Sequence, residues 1–218
     1  MKAVKNKEIK KDIYNMLIPM IFESILQTSA GLISTAMLGR LLADDVSAQG
    51  LALRISETLW CLYRGIAIGA TILIARSIGK NDRNQCKHTT QQTILSAMPI
   101  AIISMILLLT FPTQILSFFS KETELLNKAV IFLKIAIWGF PSTVIMSAVT
   151  ASFQGHGNTK TPMLLAGLLN IVNIITGYVF IFGFAFIPAM GIKGSAIALV
   201  LSQTVTALVG LILLFGKK

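Results

Sequence analysis

Residues 89–111 read TTQQTILSAMPIAIISMILLLTF, a run free of Asp, Glu, Lys and Arg. At about 1.5 Å of rise per residue it is long enough to cross about 30 Å of hydrocarbon as a helix. Inside a bilayer a helix satisfies every backbone polar group within its own segment, so lipid is the natural solvent for such a run. Working outward, five further stretches reach the same length, and the spans are placed at about 13–39, 49–76, 89–111, 126–152, 162–186 and 194–215. Short turn-rich segments separate them at 43–45, 79–84, 121–124, 155–160 and 188–191. None has room for a soluble domain, so the expected fold is an all-α integral membrane protein of six transmembrane helices. Residues 1–12 then form a basic cytoplasmic N-terminus, 13–216 the helical lobe, and 217–218 a cytoplasmic end or the start of a linker.

Composition agrees with this reading. Apolar residues make up 54% of the 218 and charged residues only 13%, against about 25% in an ordinary globular domain. The net charge of +10 does not point to nucleic acid, because the basic residues sit in short clusters between apolar runs rather than along one face. The lysines of the first eleven residues precede a hydrophobic stretch too long for a cleaved leader, and that stretch contains Glu23 and Gln27. It reads as a retained first span. Cys61 and Cys86 offer neither a disulfide framework nor metal-ligand spacing, and His88 and His156 lack further ligands nearby.

Charge also gives an orientation, since cytoplasmic loops carry the Lys and Arg excess. One side holds Lys2, Lys5, Lys7, Lys10, Lys11, Arg76, Lys80, Arg83, Lys87, Lys160, Lys217 and Lys218. The other holds Arg40, Lys121, Lys128 and Lys193, accompanied by Asp44, Asp45, Glu122 and Glu124. Both termini are therefore expected on the cytoplasmic side of the plasma membrane. Pro19, Pro99 and Pro141 fall within spans, where each removes a backbone donor and invites a kink. Small residues at Ala30-Gly31, Gly65 to Gly69, Gly167 and Gly194-Ser195-Ala196 are expected to let helices approach closely.

Intramembrane charge is expensive and marks functional candidates: Glu23, Arg54, Glu57, Arg64 and Lys134. Glu23 lies roughly 15 Å, and Arg64 roughly 18 Å, from the cytoplasmic ends of their helices, depths at which they can pair. Such a pair can serve transport or merely fix packing. Arg54 and Glu57, three apart on one helix, can satisfy each other, and Lys134 is near enough to its outer end to snorkel. Of the uncharged polar groups Gln27, Asn170, Asn173, Tyr178 and Gln203, the two asparagines share a helix face at i and i+3. That spacing can turn both amide oxygens into one cavity suited to a small cation or a drug hydroxyl. Gln203 is expected to make only an interhelical hydrogen bond.

Several stretches, in order, resemble the amino-terminal half of the multidrug and toxic compound extrusion (MATE) transporters. They are Ile18-Pro19-Met20 with Gly31 to Leu41, Ile74-Ala75-Arg76-Ser77-Ile78-Gly79-Lys80-Asn81-Asp82, Gln154-Gly155-His156-Gly157-Asn158-Thr159-Lys160-Thr161-Pro162, Asn170 to Gly183, and Met190 to Ala196. The resemblance implies one of two six-helix lobes around a central cavity. It implies inward H⁺ or Na⁺ flow driving export of small organic, often cationic, compounds, with no other cofactor, no metal and no catalysis. Partners on this reading are membrane lipid and a second six-helix lobe, supplied by the same chain, by a homodimer or by a partner chain.

Two positions depart from the family pattern. Many members carry Asp where this chain has Ser34, and Asp just before the fifth-helix tyrosine, where it has Gly177. Serine does not exchange a proton near neutral pH, and glycine has no side-chain ligand. Glu57, at roughly the depth of Ser34, is the carboxylate placed to compensate. The site expected from residues and resemblance together is Ser34, Glu57, Asn170, Asn173, Tyr178, Gln27, Glu23 and Arg64. Two alternatives stay open: an inactive or accessory membrane subunit, and a flippase of lipid-linked substrates, whose anionic cargo would suit Arg64.

Overall fold

A computed structural model of the protein describes the backbone of residues 2–40, 43–184 and 188–216, and their side chains except those of 2–9, 12 and 43. The side chains of Lys2, Lys5 and Lys7, and all of Leu41, Lys217 and Lys218, lie outside the described residues. The helices are α1 (Lys2–Leu38), α2 (Ala43–Gly79), α3 (Arg83–Thr110), α4 (Pro112–Ser117), α5 (Thr123–Ala136), α6 (Phe140–Gly155), α7 (Lys160–Phe182) and α8 (Ile192–Gly216). A 3-10 turn, Ile137–Gly139, joins α5 to α6. Six helical segments are long and apolar enough to cross a membrane, with α5, the turn and α6 forming one of them, Thr123–Gly155.

The boundaries have local causes. Asn81, at φ 58°, turns the chain out of α2, and the Asp82 side chain then caps α3 by accepting from the Gln85 N–H at 3.0 Å. Pro112 opens α4 at a first-turn position where its missing N–H costs nothing. Gly183, at φ 81°, ends α7.

The first candidate span, Ile13–Leu38, falls where expected, although helix α1 itself begins at Lys2. Other bounds differ: α2 and α3 begin at Ala43 and Arg83 rather than near 49 and 89, so the expected turn at 43–45 is helical, and α4 is an additional short helix. The fourth span is interrupted at 137–139, because Pro141 cannot donate to the carbonyl four residues back and its ring crowds that carbonyl. The fifth stops at Phe182, four residues short of the expected end, and residues 185–187 lie outside the described set.

Two packing groups meet through α8. In the first, α2, α3, α5 and α6 close around Tyr63, Phe132, Leu133, Phe140 and Val144, with the rings of Tyr63 and Phe140 edge to face at 6.2 Å. In the second, α1 packs on α7 and α7 on α8. Helix α8 reaches α5 and α6, whereas α1 barely touches α2. Lipid tails are as apolar as leucine, so close approach and interhelical hydrogen bonds replace the hydrophobic drive between helices. Gly194 lies directly against the Phe180 carbonyl, and a Cβ on Gly155 would come within 2.7 Å of the Ile74 side chain. The other glycines singled out by sequence do not act this way, since Gly31, Gly65 and Gly69 face open space and a Cβ on Gly167 would only just reach Leu26, whereas the small residues Ala30, Ala67, Ser195 and Ala196 are buried as expected. Away from the hydrophobic centre, Lys128 Nζ bonds Asp45 at 3.1 Å and Glu124 at 3.5 Å, and Gln49 Nε2 donates to Ser195 Oγ at 3.0 Å, tying α2, α5 and α8 together.

Exposed surfaces differ by helix. On α3 the open face shows Leu95, Ile102, Ile103, Ile106 and Leu107, and on α8 Leu201, Val205, Leu208, Ile212 and Leu213. These faces are suited to lipid.

A methyl at Gly194 must displace backbone, so Gly194→Ala is expected to cost more than the roughly 1–3 kcal/mol typical of overpacking. The readout is a lowered thermal midpoint of the purified protein in detergent. Gly31→Ala, with nothing near its Cβ, does not lower it.

Candidate functional site

Two polar constellations lie within the spans, one sealed between helices and one open. The sealed one joins α1, α7 and α8. Ser34 Oγ donates to Asn173 Oδ1 at 2.6 Å, and Asn173 Nδ2 donates to Ser202 Oγ at 3.4 Å. Asn170 Nδ2 donates to the Leu26 carbonyl at 2.7 Å and to the Ala166 carbonyl at 3.0 Å. These contacts advance together along the two helices, Leu26 with Asn170, Ser34 with Asn173, and Met37 beside Gly177, so α1 and α7 run in the same direction. That is the polarity required of a first and a fifth span. Asn173 is 1% exposed and Ser34 8%, so neither opens to a surface.

The two asparagines share a helix face as expected, but their oxygens do not converge on a common cavity. Asn173 Oδ1 is taken by Ser34, while Asn170 Oδ1 is buried without a hydrogen-bond partner. Gln203 also departs from expectation. Its Oε1 is buried without a partner and pressed against Gly139 in the 3-10 turn. Glycine at 139 is what lets α8 approach the break.

The open constellation begins at Glu23. This carboxylate is 5% exposed and accepts from Gln27 Nε2 and from Gln154 Nε2, each at 3.1 Å. Gln27 Oε1 in turn accepts from Arg64 Nη2 at 2.7 Å. The expected Glu23–Arg64 ion pair is therefore replaced by a relay, in which Gln27 stands between the charges and Gln154, unmarked by the sequence reading, fixes the far end. Its only sequence signal was its place at the head of the segment 154–162. This relay links α1 to α2 and α6 where α1 and α2 otherwise scarcely meet.

Arg64 belongs to a polar face on α2. Arg54, Glu57, Thr58, Cys61, Arg64 and Gly65 are all exposed, at a spacing that keeps them on one half of the helix. The expected pairing of Arg54 with Glu57 does not occur: among the described residues the only ion pairs are those of Lys128, and neither Arg54 nor Glu57 has a side-chain hydrogen bond. Both residues are exposed, where solvation of each charge competes with an i, i+3 pair worth only a few tenths of a kcal/mol. Lys134 is exposed and unpaired, as a snorkelling lysine would be. Tyr178 stands apart from both constellations, 56% exposed and packed on Phe182 with ring centroids 5.6 Å apart. Glu57 does not contact Ser34, which is occupied by Asn173.

A charged side chain facing lipid at the helix centre costs roughly 2.5–3.5 kcal/mol on insertion scales. Three on one face of α2, beside faces on α3 and α8 that carry no charge through their middle turns, are compatible with water or protein opposite α2 and not with lipid.

A family model, MatE, matches residues 19–179. The chain belongs to the MatE family. Among curated MatE-type relatives, a probable multidrug resistance protein NorM of Thermotoga maritima is 31% identical over 92% of this chain and 43% of its own length. The multidrug resistance protein MdtK of Cronobacter sakazakii is 28% identical over 84% of this chain and 40% of its own. A solved structure of MATE in the bent conformation superimposes with a TM-score of 0.87 at 24% identity, covering 95% of this chain and 46% of that one. The likeness supports the fold: an all-α, multi-pass membrane protein with the architecture of a MATE lobe. The chain spans less than half the length of the curated relatives it matches.

Ser34→Ala strips the donor from a buried amide oxygen and is expected to destabilise by about 1–3 kcal/mol, seen as a lower thermal midpoint. Tyr178→Phe, altering an exposed hydroxyl, stays within about 0.5 kcal/mol of the parent.

Proposed function

We propose that the chain forms the amino-terminal lobe of an exporter that carries small organic, drug-like compounds across the plasma membrane in exchange for H⁺ or Na⁺. It acts with a second six-helix lobe, and both termini are cytoplasmic. One observation carries this reading: within a MatE-family chain of six apolar helices, the open face of α2 bears Arg54, Glu57 and Arg64 at membrane depth. A second lobe placed opposite that face encloses a cleft, and the charges then meet water and cargo instead of lipid.

The residues divide the work. Ser34, Asn170 and Asn173 hold α1 on α7, and their sealed geometry supports a bracing role in place of a proton site. Glu57 is the exposed carboxylate of the α2 face and takes the coupling ion. Gln27 and Arg64 line the side of the cleft nearer the cytoplasm with Glu23 buried behind them, and Tyr178 offers an aromatic surface beyond it.

A second reading, an accessory subunit without transport of its own, is favoured by one feature: Ser34 and Gly177 stand where many relatives carry acids. Dye efflux from cells expressing the chain alone, and then with a carboxy-terminal MATE lobe, separates the two. Efflux that requires the second lobe and collapses with the ion gradient is the expected result, and no efflux in either case establishes the accessory reading. Glu57→Gln is expected to abolish the ion dependence of that efflux. Retention of parental ion dependence removes Glu57 from coupling.

A further inference from the structure

The relay through Gln27 does more than join two helices. A guanidinium has five N–H donors, and one bond from Arg64 Nη2 to Gln27 Oε1 is the only hydrogen bond its side chain makes among the described residues. Gln27 cannot turn its amide over without losing its bond to Glu23, which is held from the other side by Gln154. Arg64 is thus held in place by a neutral oxygen, with no carboxylate within 4 Å among the described residues, the Glu23 carboxylate acting on it only across Gln27. Beside it, Cys61 is exposed, and Gly65 and Gly69 leave open space where side chains would stand.

We propose that Arg64 anchors a single anionic group, a carboxylate, sulfonate or phosphate, on the amphiphilic compounds this lobe binds. The proposal rests on the exporter reading and specifies its cargo. A planar fork suits such a group because it can donate two parallel bonds to two oxygens, which a lysine cannot. The floor left by Gly65 and Gly69 accommodates a flat apolar body. Glu57, seven residues and about 10 Å outward, disfavours a second negative charge at the far end. The cargo is therefore an anion-headed compound with a neutral or basic body.

The test uses the full chain reconstituted with a carboxy-terminal MATE lobe in lipid nanodiscs and a matched pair of xanthene dyes, one with a free carboxylate and the other its methyl ester, with binding read by fluorescence anisotropy. The acid is expected to bind roughly tenfold more tightly than the ester. Arg64→Gln removes that preference while ester binding persists. Arg64→Lys, which keeps the charge and any role it has in folding, retains less than about half of it. Equal binding of the two dyes, preference for the ester, or a parental preference in either variant overturns the proposal alone. Binding of neither dye overturns it together with the exporter reading.

Discussion

The structure depends on one constraint: a charge has nowhere inexpensive to sit inside hydrocarbon. Every long helix here must turn an aliphatic face to lipid and find a use for each polar group it carries. On α3 and α8 the exposed residues of the middle turns are mostly branched aliphatics and none is charged, and the exposed Ser96 of α3 donates to the Thr93 carbonyl of its own helix. Between α1 and α7, Ser34, Asn170 and Asn173 are turned inward and find partners on neighbouring helices, whereas Tyr178, Ser24 and Thr28 are exposed. Among the described residues, α2 leaves Arg54, Glu57 and Arg64 outside the packed interior, whereas the exposed Lys134 of α5 is near enough to its outer end to snorkel, so it is on α2 that the bilayer account requires something other than lipid.

The two arrangements have different mechanical consequences. A sealed hydrogen-bonded contact between parallel helices makes α1 and α7 a unit, reinforced by close packing of α7 on α8 at Gly194. Between α1 and α2 there is little packing, and the connection is a chain of side-chain amides with a guanidinium at one end and a buried carboxylate at the other. Amide bridges can be broken and remade at far lower cost than a direct buried ion pair, whose separation strands two charges. The seam between α1 and α2 is accordingly the least committed in the lobe, and it opens onto the charged face.

Much of this was legible in the sequence, and the reasons for the rest are physical. Length and apolarity place the helices because a bilayer sets a minimum span, and the charge clusters mark the connecting segments. Depth along a helix can also be counted, which is why Glu23 and Arg64 were expected near each other. Rotation about each helix axis cannot be counted in that way. It decided that Gln27 would stand between the two charges, that Arg54 and Glu57 would both point outward without meeting, and that Asn173 would spend its oxygen on Ser34, 139 residues away. Close approaches were partly hidden in the same way. Gly194 was marked by the sequence and does admit a neighbour, but Gly65 and Gly69 do not, whereas Gly155 meets Ile74 of α2 and Gly139 meets Gln203, because the break before Pro141 brings α8 against the turn.

The central claim is that water, and not lipid, lies opposite the α2 face. The chain supplies its own probe, since Cys61 is exposed between Glu57 and Arg64 while Cys86 is buried. In a Cys86→Ser background in native membranes, a charged, membrane-impermeant maleimide should label Cys61 readily. In the same background with Cys61→Ser, a cysteine introduced at Leu208 on the aliphatic face of α8 should remain unlabelled. A Cys61 as inert as the cysteine at position 208 would place the α2 charges against lipid and contradict the account.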